Sequence, residues 1–125
     1  MKLEELVSSE ASPALGPYCH GRKCGGMIIT SGQIPVTKDG ESVSEIKAAT
    51  KLVLGNLLSI VEAGGGCKES VARVDVYLKS LDDFDAMNEA YAEFFGSHKP
   101  ARVCVQAGDL AENAPLEAAM IAFAE

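Results

Sequence analysis

The closing stretch Ala118-Ala119-Met120-Ile121-Ala122-Phe123 is apolar at every position, and it constrains the fold more than any other feature. A strand of this kind has to be covered on both faces, whereas one face in water would impose alternation. The rest of the chain offers only two helices. One layer of helices covers one face of a sheet, so apolar surface is left over, and symmetric self-association is the simplest way to bury it. The pattern therefore predicts a homo-oligomer.

The first helix opens near Ser42, which with Glu45 has the S-x-x-E spacing of a capping box. Ile46, Ala49, Val53, Leu57, Ile60 and Val61 follow at helical spacing as one apolar stripe, and Gly64-Gly65-Gly66 stops it. The second helix runs from about Asp82 to Phe95, with Ser80 or Asp82 as its cap. Phe84, Met87, Tyr91 and Phe94 form its inner side.

Five strands complete the reading. Tyr18 to Lys23 and Met27 to Ser31 form a hairpin across Gly25-Gly26. Val71 to Leu78 alternates, with Val74, Val76 and Leu78 on one side and Arg73, Asp75 and Tyr77 on the other. Ala101 to Ala107 and Glu117 to Ala124 come last, separated by a loop containing Asn113-Ala114-Pro115. The order β-β-α-β-α-β-β is an α+β layout, a single domain over residues 1–125.

Composition narrows the functional classes. A net charge of −7, with the 11 basic residues scattered, opposes a nucleic-acid partner. No stretch approaches the roughly 20 apolar residues of a membrane span, and Met1-Lys2-Leu3-Glu4-Glu5 lacks a signal-peptide core. The expectation is a cytoplasmic protein without a membrane partner. Cys19, Cys24, Cys67 and Cys104 form no C-x-x-C and fit no zinc spacing, so no metal site and no disulfide framework is expected.

G-x-S-x-G, H-E-x-x-H, the P-loop and G-x-G-x-x-G are all absent. His98, in Ser97-His98-Lys99-Pro100, reads as an exposed loop residue. In Pro100-Ala101-Arg102-Val103-Cys104-Val105-Gln106, alternation puts Arg102, Cys104 and Gln106 on one face. A half-buried guanidinium needs a partner, and its planar fork suits a carboxylate. That partner is either a substrate anion or an internal Asp or Glu, and the pattern alone favours the internal ion pair. Glu117 reads as an exposed strand end or as a partly buried acid/base. Asn88 sits one turn before Tyr91, and Ser31-Gly32-Gln33 is a strand end offering a hydroxyl and backbone N–H groups.

Taken together, the segments resemble the RidA/YjgF family of reactive intermediate deaminases, also described as endoribonuclease L-PSP-like. The resemblance rests on Gly16-Pro17-Tyr18, Thr30-Ser31-Gly32-Gln33-Ile34-Pro35, Met87-Asn88-Glu89-Ala90-Tyr91-Ala92-Glu93-Phe94-Phe95, Pro100-Ala101-Arg102-Val103-Cys104-Val105 and the strand opened by Glu117. These stand in unbroken order from about Ser12 onward. The family implies a chorismate-mutase-like fold and a homotrimer with a site in each inter-subunit cleft. It implies hydrolysis of enamine/imine intermediates such as 2-aminoacrylate to 2-keto acids and ammonia, with no cofactor. On that pattern Arg102 anchors the substrate carboxylate and Glu117 positions water and moves protons. Cys104 helps hold that water, and Tyr18, Ser31, Gly32 and Asn88 line the cavity. Cys19-His20-Gly21 departs from the family's S-Q-A and Glu117-Ala118-Ala119 from its E-I-E, which leaves the preferred imine open. Two other classes stand beside this one: a non-enzymatic module binding 2-keto acids or other small carboxylates, and an RNA-cleaving translation inhibitor, which the acidic charge opposes.

Overall fold

The computed structural model describes residues 2–125. Its strands are β1 (Glu4–Leu6), β2 (Gly21–Cys24), β3 (Met27–Thr30), β4 (Val71–Leu78), β5 (Ala101–Gln106) and β6 (Leu116–Phe123), with helices α1 (Ile46–Ala63) and α2 (Phe84–Phe95). The six strands form one sheet in the order β1-β2-β3-β6-β4-β5, with β4 and β5 parallel and the other pairs antiparallel. The α+β architecture matches the expectation, and the N-terminal β1 adds an edge strand that three residues of Glu4-Glu5-Leu6 gave no periodicity to reveal.

Both helices cover the same face. Val53, Leu57, Ile60 and Val61 of α1 and Met87 of α2 are buried against Ile28, Val74, Val76, Leu78, Leu116, Ala118, Met120 and Ala122 of the sheet. Burying each of the larger side chains contributes about 1.5–3 kcal/mol, which is why the stripe on α1 dictates where it lies. Lys47–Glu89 and Lys51–Glu93 ion pairs, at 2.9 and 2.6 Å, tie the outer rims of the helices and contribute little because they are exposed.

Several boundaries differ from the sequence expectation. The cap of α1 is Glu45 rather than Ser42: its carboxylate accepts from the amides of Lys47 and Ala48. A carboxylate there also meets the positive end of the helix dipole, so it displaces serine in that role. Ser80 caps a short 3₁₀ turn, Leu81–Asp83, that precedes α2. On α2 only Met87 of the four expected inner residues is fully buried; Phe84, Tyr91 and Phe94 stay half-buried around it. The first hairpin strand begins at Gly21, not Tyr18, and turns through Gly25 at φ 60°. His98 is half-buried rather than exposed, with Nε2 2.8 Å from the Val71 carbonyl and its ring against Phe95.

The opposite face carries no helix. Met27, Ile29, Tyr77, Val103, Val105 and Phe123 are exposed on it, joined through the register pairs Met27–Phe123, Ile29–Ile121 and Tyr77–Val105. This is the leftover surface anticipated from the closing run. Among the described residues no helix is long and apolar enough to cross a membrane.

Candidate active site

Alternation along two strands decides where the two candidate charged residues point. Arg102 is register partner to Val74, so it lies on the helix-covered face. Glu117 is register partner to Tyr77, so it lies on the open face. The sheet separates them within one protomer.

Around Glu117 a cavity of about 470 Å³ is formed by Ser31-Gly32-Gln33, by Tyr18 and by the loop carrying Ser12, Pro13 and Leu15. Its geometry is built from the backbone outward. The Gln33 amide donates to the Ala118 carbonyl at 2.8 Å and the Ala118 amide donates back at 3.1 Å, fixing Gly32 beside Glu117. The Gln33 side chain is buried and accepts from Asn56 Nδ2 at 3.3 Å; the same amide reaches the Val36 carbonyl at 2.9 Å. A buried amide pair of this kind fixes the loop's position because leaving either partner unsatisfied is costly. A side chain at position 32 would collide with the Glu117 carboxyl group, so glycine is required here for close approach. Ser31 Oγ donates to the Cys19 carbonyl at 2.7 Å, and the Tyr18 hydroxyl accepts from the Leu15 amide at 3.2 Å. Burial raises the Glu117 pKa above the ordinary glutamate value, and no cation lies within 4.0 Å of it among the described residues. A carboxyl group shifted this way is suited to proton transfer.

Arg102 lines a second cavity, of about 290 Å³, with Asn88, Tyr91, Phe95, His98 and Lys99. Its guanidinium lies 4.8 Å from the Tyr91 ring centre and 5.8 Å from that of Phe84, and Nη1 meets Met87 Sδ at 3.9 Å. No carboxylate of the described residues comes within 4.0 Å of it, so the internal ion pair favoured by the pattern is absent. Aromatic faces hold the cation without neutralising it, which leaves the fork able to take an external anion. Burial pushes the neighbouring Tyr91 phenol up to about 12, against an opposing pull from Arg102.

Cys104 follows Arg102 on the same face, two residues on, and lines neither cavity. Burial raises its thiol pKa, with Arg102 opposing, so it is no activated nucleophile. The structure thus divides the expected residues into two groups. Tyr18, Ser31, Gly32 and Glu117 share one cavity, Asn88 and Arg102 the other, and the cavities have no lining residue in common. The sequence reading did not single out the Ser12-to-Leu15 loop, and it placed His98 in solvent; nothing in their local patterns distinguishes them from ordinary loops. Among the described residues no three His, Cys, Asp or Glu side chains converge as metal ligands.

Residues 9–124 match the family described as Endoribonuclease L-PSP. A RutC family protein of Pyrococcus horikoshii is 42% identical over 98% of this chain and 100% of its own length. The 2-iminobutanoate/2-iminopropanoate deaminase of Escherichia coli is 38% identical over 96% of this chain and 98% of its own. The crystal structure of E. coli TdcF with bound serine superposes with a TM-score of 0.94 at 35% identity, covering 98% of this chain and 99% of that one. Collinear motifs, a shared fold and full-length similarity lead to one conclusion: the chain belongs to the Endoribonuclease L-PSP family, also known as YjgF/RidA.

Proposed function

We propose that this protein hydrolyses small 2-imino acids to 2-keto acids and ammonia, in a site completed between two copies of the chain. The observation that carries this reading is the placement of an unneutralised Arg102 and a raised-pKa Glu117 on opposite faces of one sheet. In a head-to-tail contact the Arg102 cavity of one copy meets the Glu117 cavity of the next. Such a contact closes into a ring, in keeping with the homotrimer that the family resemblance implies. The exposed apolar sheet face supplies the buried area.

In the assembled cleft Arg102 binds the substrate carboxylate bidentately. Asn88 and Ser31 orient the imine and Glu117 holds water against its carbon. The oxygen adds to that carbon while Glu117 takes a proton. That proton goes to nitrogen, giving a carbinolamine. Glu117 then takes the proton left on the hydroxyl and passes it to nitrogen as well, so the C–N bond breaks, the carbonyl forms, ammonia departs and Glu117 is left ionised. The reaction consumes one water and needs no oxidant or cofactor.

The TdcF relative carries serine, whose carboxylate is the same handle, so binding without turnover is the second reading. The test generates the imine with a serine or threonine dehydratase and follows keto-acid release, with semicarbazide trapping unreacted intermediate. Acceleration with less trapped product supports hydrolysis; unchanged imine lifetime despite keto-acid binding supports the sensor. Mixing Arg102→Ala and Glu117→Ala proteins, each inactive, tests the shared cleft. Random hybrids of a ring regain about a quarter of wild-type activity, because that fraction of interfaces is intact. No recovery on subunit exchange would place the site within one protomer.

A further inference from the structure

His20 is 6% exposed, and both of its ring nitrogens are engaged by the N-terminal loop. The Ser8 amide donates to Nδ1 at 3.0 Å, and Nε2 lies 2.8 Å from the Ser12 carbonyl. The first bond requires a bare Nδ1 and the second a protonated Nε2, so the closed loop accepts only the neutral Nε2–H tautomer. Protonation would set an Nδ1–H against the Ser8 N–H, two donors facing each other in a buried position. The backbone of the same residue accepts from the Ser31 amide at 2.9 Å, so His20 joins the loop to the floor of the Glu117 cavity. Ser12 and Pro13, at the far end of the loop, form part of that cavity's wall.

We propose that His20 is a positioning residue that latches the Ser8–Pro13 loop over the Glu117 cavity while neutral and releases it on protonation. The charged and titratable groups around it leave this coupling intact. Glu10 of the loop is paired with Lys38 at 3.0 Å, and Glu5 of β1, Tyr18 and Cys19 line the adjoining cavity without bonding the ring. On the α1 side the neighbouring group is the neutral Ser59 hydroxyl, which accepts from Ser8 Oγ at 2.8 Å. The carbonyl held by Nε2 and the amide held by Nδ1 are the only hydrogen-bond partners of the ring among the described residues. The consequence for turnover rests on the imine-hydrolase reading; the latch itself does not.

The test is amide hydrogen exchange on the intact protein, corrected for intrinsic rates, from about pH 8 to about pH 5. In the wild type, protection of peptides covering residues 8–13 falls about tenfold or more while α1 peptides stay protected. His20→Gln keeps one acceptor and one donor at similar spacing and does not titrate, so its loop stays protected throughout. Equal wild-type protection at both ends, or a parallel fall in His20→Gln, overturns the latch. Should that variant fold poorly, ring ¹⁵N shifts of the wild type decide: Nε2–H at neutral pH supports the proposal and Nδ1–H refutes it. In the imine assay, an acid-side loss of kcat/KM present in the wild type and absent from His20→Gln connects the latch to turnover. Exchange that follows the prediction with no imine hydrolysis at any pH leaves the latch standing and removes the hydrolase reading.

Discussion

Gly32→Ala separates a catalytic role for Glu117 from a structural one. A Cβ at position 32 would lie 3.0 Å from Glu117 Cδ and 3.2 Å from Cγ, with Oε2 nearer still. Ordinary contact between such atoms is about 3.5 Å or more, so the carboxylate must withdraw by about 1 Å. The backbone need not move, because the colliding atoms are the far end of a flexible side chain. No positive φ is required at this position either, since Gly32 is not among the glycines held there. The stability cost is therefore small, about 1 kcal/mol or less, the rotamer adjustment of one half-buried glutamate. A 1 Å displacement of a catalytic group, by contrast, costs about 100-fold in rate. The measurement pairs thermal unfolding with the dehydratase-coupled assay. Near-wild-type stability with a large fall in kcat supports the geometry. A variant with full activity refutes it, because the Glu117 carboxylate would then be free to sit elsewhere.

Three further outcomes follow from the same structure. Arg102→Met replaces an un-neutralised cation with an apolar side chain of similar length among Phe84, Met87 and Tyr91; stability stays within about 1 kcal/mol of wild type in thermal melts, while keto-acid affinity falls about 100-fold by calorimetry. Glu117→Gln is more stable than wild type at neutral pH, since burial raises the folded-state pKa and the ionised form is disfavoured there. That difference is full above the folded-state pKa and disappears as pH falls to the unfolded glutamate value, as denaturant titrations at several pH values would show. Ile29→Glu, at a position 43% exposed in the protomer, places a charge in the middle of the open sheet face; on the proposed self-association the variant sediments as a monomer where the wild type does not, and loses activity.

The elements that the chain announces are those whose burial repeats along it. The α1 stripe and the alternation of β4 arise from one face meeting a core, the doubly apolar β6 from a core on one face and the open apolar surface on the other, and all three stand where their patterns put them. β1 has only Leu6 buried, and three residues carry no period. The cap of α1 shifted because Ser42 and Glu45 both suit an N-terminus, and Ser42 is held instead in an antiparallel bridge with Val36, which leaves Glu45 to cap. His20 and His98 were opaque for another reason: each is held by backbone carbonyls or amides distant in sequence, a partnership that leaves no local mark.

The candidate site shows the same limit in a sharper form. Alternation within β5 places Arg102 and Cys104 on one face, and alternation within β6 separates Glu117 from Ala118. Neither pattern says which face of one strand is continuous with which face of the other. That depends on register: Arg102 opposite Val74, Glu117 opposite Tyr77, an odd offset along β4. A one-residue slip of β6 would bring both charges to the same face, but it would also turn Ala118, Met120 and Ala122 out of the core. The burial of those three residues therefore forces Glu117 outward. Hydrophobic registration of the last strand is what prevents one protomer from holding both halves of the proposed site, and the open apolar face on the Glu117 side is where a second copy would bring the other half.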